Sequence, residues 1–515
     1  CPWLIFYSIT VRIGHSLNEA EKNHVTSRRE SSLHKCGVYS LQEEMPNIAL
    51  VASGGSERAM LGLLGSLLAL FQDDLLDCVL YLAGLSGSTW CMVSLYKEPN
   101  WSSKLEKVKE DIKNKLGGNI SFKEKFKKLK KYYREKDNFS LTDFWAVLYI
   151  TMIVKEIDEQ TFSDLRSKQS TKDPYPIYTV IDKQSHEDKL DADTFVEITP
   201  HETGYSITGA FVDTSSFGSQ FDQGAQIKDQ PEMDMMFLQG ELKQHISWSS
   251  VYFVDIKQTD IRSLSAPHAD EAGQVLLNLV EVNRLVLREE DPSSHITFLN
   301  DLLRGIHHIT NRFKLSIGVI TGCFEGCIVN LHIFGSFISW IFVLPSNFLY
   351  SAEVSPSVCL ETIRQYVDAG IAINSPFLPL LRRERHIDLI VSLDFSENDP
   401  FESLTETAKT CKRLRIDFPE VPKMSKEEKS APKDFYVFEG HNAPAVIHIP
   451  LFNIVNSEIK RLKHTYTTFQ GPYSSDLIEE LLEKAGLNIK NNKRSLLTEI
   501  KKIIQRKQSH ICSFC

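Results

Sequence analysis

Cysteine is scarce in this 515-residue chain. There are 10 cysteines, and only Cys323/Cys327 and Cys512/Cys515 are close neighbours. Neither pair is matched by a second pair or a histidine cluster at zinc spacing, so no metal is expected. That density is also far too low for a disulfide scaffold, and free thiols in a reducing compartment are the simplest reading. Charge of one sign is lacking as well. The 58 basic residues against 67 acidic ones leave a net charge of −9, without the basic excess that wholesale nucleic-acid binding needs. No internal repeat is present. The opening run Pro2 to Ile9 is apolar, but no basic residues precede it and no small-residue cleavage site follows, which speaks against a signal peptide. The window Gly326–Pro345 carries no acidic or basic residue except His332 and is long enough to span a bilayer. Gly, Ser and Asn are scattered through it, so it reads as buried core rather than a membrane helix.

What the chain does contain is globular: 42% hydrophobic and 24% charged residues. Residues 1–45 read as an N-terminal extension with a solvated helix from Glu19 to Arg29. The run Asn47-Ile48-Ala49-Leu50-Val51-Ala52 reads as a buried strand. It is followed by a tight turn, Ser53-Gly54-Gly55-Ser56, and then by Met60, Leu61, Leu63, Leu64, Leu67 and Leu68 at helical spacing. Cys78 to Ala83 repeats the pattern of strand, turn and apolar helix. Two such units predict an α/β fold, a mostly parallel central sheet flanked by helices. The Lys-rich stretch 104–136 reads as a solvated helical pair, or as a contact for an anionic membrane. Residues 174–222 continue the sheet, and 269–313 read as helices around the acidic loop Glu289 to Ser294. Further strands are expected at Tyr366 to Ile371 and Ile387 to Asp394. A basic amphipathic helix is expected from Leu477 to Ile511.

Three features bear chemistry. Gly84-Leu85-Ser86-Gly87-Ser88 lies between a buried strand and a helix, the setting of a nucleophile elbow. The serine must stand in a strained turn, and residues two before and two after it crowd each other, so they must be small. The helix that starts there aims its N-terminal dipole at negative charge developing near Ser86. The loop Ser53-Gly54-Gly55-Ser56 can present the backbone N–H groups that hold an oxyanion. It lacks both glycine patterns of nucleotide-binding loops. Arg58, one turn further, is suited to an anionic head group. The serine needs a base: Asp368 acting directly, or Asp368 with His386 as a triad. The residues alone leave both open.

Taken together, these pieces resemble the cytosolic phospholipase A2 (group IV) family, within the patatin-like acyl hydrolases. The resemblance rests on Ser53-Gly54-Gly55 with Arg58, Gly84-Leu85-Ser86-Gly87-Ser88-Thr89-Trp90 and Asp368-Ala369-Gly370. Supporting matches are Ser140 to Trp145, Tyr175-Pro176-Ile177, Phe217-Gly218-Ser219 with Phe221, Asn347-Phe348-Leu349-Tyr350 and Leu393-Asp394-Phe395-Ser396. The resemblance implies a serine acyl hydrolase with a Ser86–Asp368 dyad. The oxyanion hole would be Gly54, Gly55 and Ser56, with Arg58 on the substrate phosphate. It further implies calcium-independent hydrolysis of glycerophospholipids and lysophospholipids at a membrane surface, without metal, cofactor or nucleic acid. The location implied is cytoplasmic and on intracellular membranes, the endoplasmic reticulum among them. The catalytic domain would span 46–480, with about 200–345 partly a lid or cap, and 481–515 would be a basic tail. Its last residues, Cys512-Ser513-Phe514-Cys515, resemble a prenylation box at Cys512, with Lys493, Arg494, Lys501, Lys502, Arg506 and Lys507 as the basic second signal.

Departures from the family pattern set further expectations. Ser56 replaces a third glycine, so a positive φ there would be strained. Glu57 replaces an apolar residue and would oppose an anionic substrate. Trp340 to Pro345 replaces a tryptophan- and threonine-bearing stretch. An ester hydrolase with the His386 triad and a catalytically impaired lipid-binding relative are the rival readings.

Overall fold

The computed structural model describes residues 11–33, 45–136, 143, 146–241, 294–295, 298, 347–354, 356–456, 458–468 and 472–514. The window 326–345, the run 2–9 and most of 269–313 lie outside them. The chain divides into two compact units, Cys1–His245 with Phe342–Cys515, and Ile246–Ile341. Nearly all of the second lies outside the described residues.

The first unit is built on one 11-stranded sheet. Its strands are β1 (Arg12–Ile13), β2 (Ile48–Ala52), β3 (Val79–Gly84), β4 (Tyr175–Asp182), β5 (Phe195–Ile198), β6 (Glu202–Tyr205) and β7 (Ala210–Asp213). A separate hairpin, β8 (Gln220–Asp222) with β9 (Ala225–Lys228), precedes β10 (Tyr366–Asp368), β11 (Leu389–Asp394), β12 (Tyr436–Phe438) and β13 (Ala445–Pro450). The order is β1-β7-β6-β5-β4-β3-β2-β11-β13-β12, with β10 added on β4. The five central strands, β4 to β13 in that order, run parallel; the flanks are antiparallel. All four of β2, β3, β11 and β13 are buried on both faces: β2 and β3 are continuous apolar runs, and β11 and β13 are apolar apart from Ser392, Asp394 and His448. The 174–222 stretch supplies the expected strands.

The helices that matter to the site are α1 (Glu19–Leu33), α2 (Ser56–Gln72), α3 (Gly87–Tyr96), α4 (Leu105–Leu116), α5 (Phe122–Glu135), α6 (Met235–Glu241), α7 (Glu402–Leu414), α8 (Ile459–Thr465) and α9 (Ser475–Phe514). Helix α2 is buried from Ser56 to Leu70 because it is covered on all sides. A Cβ on Gly65 would lie 2.4 Å from the Leu482 carbonyl, so the glycine is what lets α9 lie against α2. The expected boundary at 480 falls inside this single 40-residue helix. Helix α1 differs from the solvated helix expected: Glu21, His24 and Arg28 are buried on it. Arg28 donates to the carbonyls of Leu76 at 2.9 Å and Val79 at 2.5 Å, and Glu21 pairs with Arg385 at 2.8 Å.

The free-thiol reading holds for Cys91, Cys359 and Cys411, which are free and buried. Cys78 departs from it, being disulfide-bonded. No helix of the described residues is long and apolar enough to cross a membrane.

Candidate active site

The site starts at the C-terminal ends of the parallel strands. Register aligns Gly84 of β3 with Ala52 of β2, Ala52 with Leu393 of β11, and Leu393 with Ile449 of β13. The residues just beyond this level therefore share one rim of the sheet. On that rim Ser86 turns sharply, with φ 51° and ψ −132°, before α3 begins. A left-handed serine is costly, and such strain concentrates where a side chain must be presented.

The turn is shaped by close contacts. A Cβ on Gly87 would sit 2.0 Å from the Ser56 carbonyl oxygen, so only glycine fits there. The Ser88 hydroxyl donates to the Ser53 carbonyl at 2.5 Å, and a Cβ on Gly54 would lie 2.8 Å from the Ser86 Cβ. The elbow and the 53–56 loop are thus pressed together.

Asp368 arrives by a different route. Strand β5 occupies one edge of β4, at Tyr178 to Ile181. On the other edge β3 pairs up to Gly84 opposite Tyr178, and β10 takes over with Asp368 opposite Val180. Ser86 lies two residues beyond Gly84, and Val180 lies two beyond Tyr178. Both side chains therefore belong to the same level of the same edge. Asp368 is fully buried, and its Oδ1 accepts the Gly370 N–H at 2.8 Å, which fixes the carboxylate.

From Asp368 the chain crosses to the 53–56 loop. The Asn374 carbonyl and Oδ1 accept the Gly54 N–H at 3.3 and 3.2 Å. Its Nδ2 donates to the Ser396 hydroxyl at 3.0 Å. Asn374 was not foreseen: only the tertiary crossing gives it this position. Of the three loop amides expected to hold an oxyanion, Gly54 is thus engaged. Those of Gly55 and Ser56 donate to no described residue and stand at the N-terminus of α2.

Ser56 has φ 55°, the left-handed conformation in question, and its Oγ is buried without a partner among the described residues. Glycine tolerates this backbone, and serine does not do so freely. Ser56→Gly is therefore expected to stabilise the protein by about 1 kcal/mol, read as a higher denaturation midpoint. An unchanged or lower midpoint would show the turn to be unstrained.

Two neighbours behave differently from their sequence reading. Glu57 is buried, and its carboxylate accepts the Tyr473 N–H at 3.2 Å, so it ties the loop to the chain near the start of α9. Arg58 is 1% exposed. Its guanidinium donates to the carbonyls of Phe395 at 2.7 Å and of Tyr466, and to the Thr468 hydroxyl at 3.1 Å, and it faces Glu397 at 3.6 Å. Burial holds its pKa down, with the surrounding acids opposing. Asp394 ends β11 on the same rim, where burial pushes its carboxyl up to about 6 against the Ser396 hydroxyl, which donates to it at 2.7 Å.

The triad alternative is corrected by the topology. His386 precedes β11, whose first residue Leu389 aligns with Ile48, at the N-terminal ends of the parallel strands. Its carbonyl accepts from Asn47 Nδ2 at 2.9 Å, and its ring is exposed. It lies at the opposite end of the sheet from Ser86. The buried His448 sits mid-strand between Ser392 Oγ at 3.1 Å and the Pro400 carbonyl at 2.9 Å, and burial lowers its pKa to about 4.

Three carboxylates, Glu21, Glu197 and Glu202, converge as a metal site would. Each faces an arginine: Arg385 on Glu21 and Glu197, Arg382 on Glu197, and Arg12 on Glu202. The cluster is a neutralised ion network rather than an open cation site. Toward the C-terminus, four of the six expected basic residues are also neutralised: Lys493 by Asp73, Lys502 by Glu499, Arg506 by Glu439 and Lys507 by Asp388. Cys512 lies in α9, and its side chain is outside the described residues.

Comparison with known proteins places these features in context. A family model described as a lysophospholipase catalytic domain matches residues 48–289. Cytosolic phospholipase A2 gamma of Homo sapiens is 31% identical over 527 residues, covering 96% of this chain and 96% of that protein. The Mus musculus counterpart is 30% identical, covering 95% of this chain and 91% of that protein. Among solved structures, human GIVD cytosolic phospholipase A2 superposes with a TM-score of 0.70 at 23% identity. That match covers 98% of this chain and 69% of the other.

Proposed function

Since the chain belongs to the cytosolic phospholipase A2 family, we propose that its phospholipid ester hydrolysis is carried by Ser86 and Asp368 alone. The reading is supported above all by the edge of β4 that β3 and β10 share, which brings the two residues to one level.

In this reading the Ser86 hydroxyl attacks the ester carbonyl carbon while its proton passes to the Asp368 carboxylate. The N–H groups of Gly55 and Ser56, at the positive end of α2, hold the oxyanion. Collapse of the tetrahedral intermediate breaks the ester C–O bond. Asp368 returns its proton to the departing lysophospholipid oxygen, leaving acyl-Ser86. Water, deprotonated by Asp368, then attacks the acyl group; the bond to the Ser86 oxygen breaks, Asp368 returns its proton to that oxygen, and the fatty acid leaves. Lysophospholipids present the same ester and fit the same sequence of steps.

Every group in this scheme is a hydroxyl, a carboxylate or an amide, so no step calls for calcium. Arg58 serves the substrate phosphate only by exchanging Glu397 for it, because its other donors hold backbone and Thr468. Part of the stretch from about 200 to 345 serves as a lid or cap in this reading. Action at intracellular membrane surfaces completes the reading, with prenylation of Cys512 beside Arg494 and Lys501, the two of the six expected basic residues that pair with no described acid.

The test is fatty-acid release from phosphatidylcholine vesicles and from lysophosphatidylcholine by the purified full chain, with and without a calcium chelator. Equal rates in both conditions are expected. A rate that collapses in chelator would overturn metal-free chemistry.

A further inference from the structure

The loop Leu451–Asn456 follows β13 on the rim that carries Ser86. Strand β13 is three strands from β3 in the sheet, roughly 14 Å along the rim. At its tip, two adjacent β-branched side chains face solvent: Ile454 is 54% and Val455 50% exposed.

This tip is not a frayed loop. Asn453 Oδ1 accepts the Val455 and Asn456 N–H groups at 3.0 and 3.1 Å. Its Nδ2 donates to Asn488 Oδ1 on α9 at 2.8 Å. The Ile454 N–H donates to the Pro432 carbonyl at 2.9 Å. A buried asparagine cluster therefore fixes the backbone and holds the two apolar side chains outward.

A third exposed apolar residue lies at the site itself. Ile371, 40% exposed, is on the segment that runs from Asp368 to Asn374, between the β4 edge and the Gly54 loop. Five residues after Val455 in the chain, in the first turn of α8, Lys460 is exposed and pairs with no described acid. Single exposed apolar residues need no explanation. An adjacent pair on a locked loop, on the rim of the nucleophile and close in the chain to such a cation, has a chemical complement.

We propose that Ile454 and Val455 form a wedge that enters the head-group and acyl boundary of a phospholipid surface, with Lys460 meeting anionic head groups. The occupant is the lipid surface that holds the substrate, so the inference rests on the phospholipase reading. The loop is rigid before contact, so docking costs it little order. The result is that the rim bearing Ser86 is held toward the surface.

The experiment uses the full chain and vesicles of phosphatidylcholine with phosphatidylserine. Binding is read by sedimentation, and turnover on vesicles is compared with turnover of a water-soluble short-chain ester. The double variant Ile454→Ser/Val455→Ser is expected to bind vesicles roughly five- to ten-fold more weakly, with a matching loss of vesicle turnover and unchanged soluble-ester turnover. Ile227→Ser serves as control. Ile227 is 65% exposed on β9, in a hairpin that meets the other end of the sheet through the Val11 N–H to Gly224 carbonyl bond. It is expected to change nothing.

The variant Ile454→Trp supplies a second reading, because tryptophan is favoured at lipid interfaces: its emission should shift to the blue when vesicles are added. Undiminished binding by the double variant, an equal loss with Ile227→Ser, or no blue shift from the Ile454→Trp variant would overturn the wedge. So would a wild-type dimer that the double variant dissolves. Binding is measured without turnover, so a protein that binds through this loop and hydrolyses nothing would overturn the phospholipase reading and leave the wedge standing.

Discussion

Ser86→Ala should abolish acyl transfer and leave the fold intact. The side chain heads α3, and its hydroxyl takes part in no hydrogen bond with a described residue, so its loss removes no structural tie. Loss of the nucleophile leaves only what binding and the oxyanion donors supply. The turnover rate on phospholipid should fall at least about 10⁴-fold. A fluorophosphonate, which forms a bond only with an activated serine, should label wild type at Ser86 and leave Ser86→Ala unlabelled. Label on another serine of the wild type would move the nucleophile elsewhere. A folded wild type that takes no label would point to a lipid-binding relative whose oxyanion loop has been spoiled at Ser56.

Asp368→Asn should be nearly as damaging, and for a reason that can be separated from stability. The amide keeps the size of the carboxylate, and its oxygen can still accept the Gly370 N–H now held at 2.8 Å. What it cannot do is take the Ser86 proton. General-base catalysis contributes roughly 10²–10⁴-fold, and both acylation and deacylation need it, so the rate should fall toward the larger figure. Fluorophosphonate labelling should slow in parallel, while the denaturation midpoint stays close to wild type. His386→Ala is the companion measurement. With its ring exposed at the far end of the strands, that change should alter turnover less than about two-fold. A loss at His386 to match the one at Asp368 would restore the triad.

The legible part of the fold was its parallel half. Val79 to Gly84 and Ile48 to Ala52 are apolar without alternation, and each leads through small residues into an apolar helix. That grammar is local and survives any packing. The strands of 174–222 were also visible, but their antiparallel direction was not, because pairing partners are chosen in three dimensions. The site divides in the same way. The Ser86 turn is encoded by its immediate neighbours. Asp368 could be put forward from its strand end and chain order, but its role as the sole base only from family likeness, since its position depends on which edge of β4 is vacant. Asn374 and the committed state of Arg58 were invisible for that reason too: each rests on contacts with residues roughly twenty to four hundred positions away. Glu57 was read from its charge alone as opposing anionic substrate. Its burial against the Tyr473 N–H makes it a strut of the loop.

The shared edge of β4 also bears on how such a chain can change over generations. Tyr366 pairs with Asp182, so 366 − 182 = 184 positions of sequence separate the two strands. The carboxylate's place is set by the β10–β4 ladder and by the grip of Asn374 on Gly54, and the length of the intervening chain enters neither. Each doubling of a flexible connection costs only about 0.6 kcal/mol. Changes in the length of the connections between residues 183 and 365 are therefore cheap as far as the reacting pair is concerned, provided β5 keeps the other edge of β4. The excursion is where a lineage of these hydrolases can vary while the placement of the reacting pair is inherited unaltered.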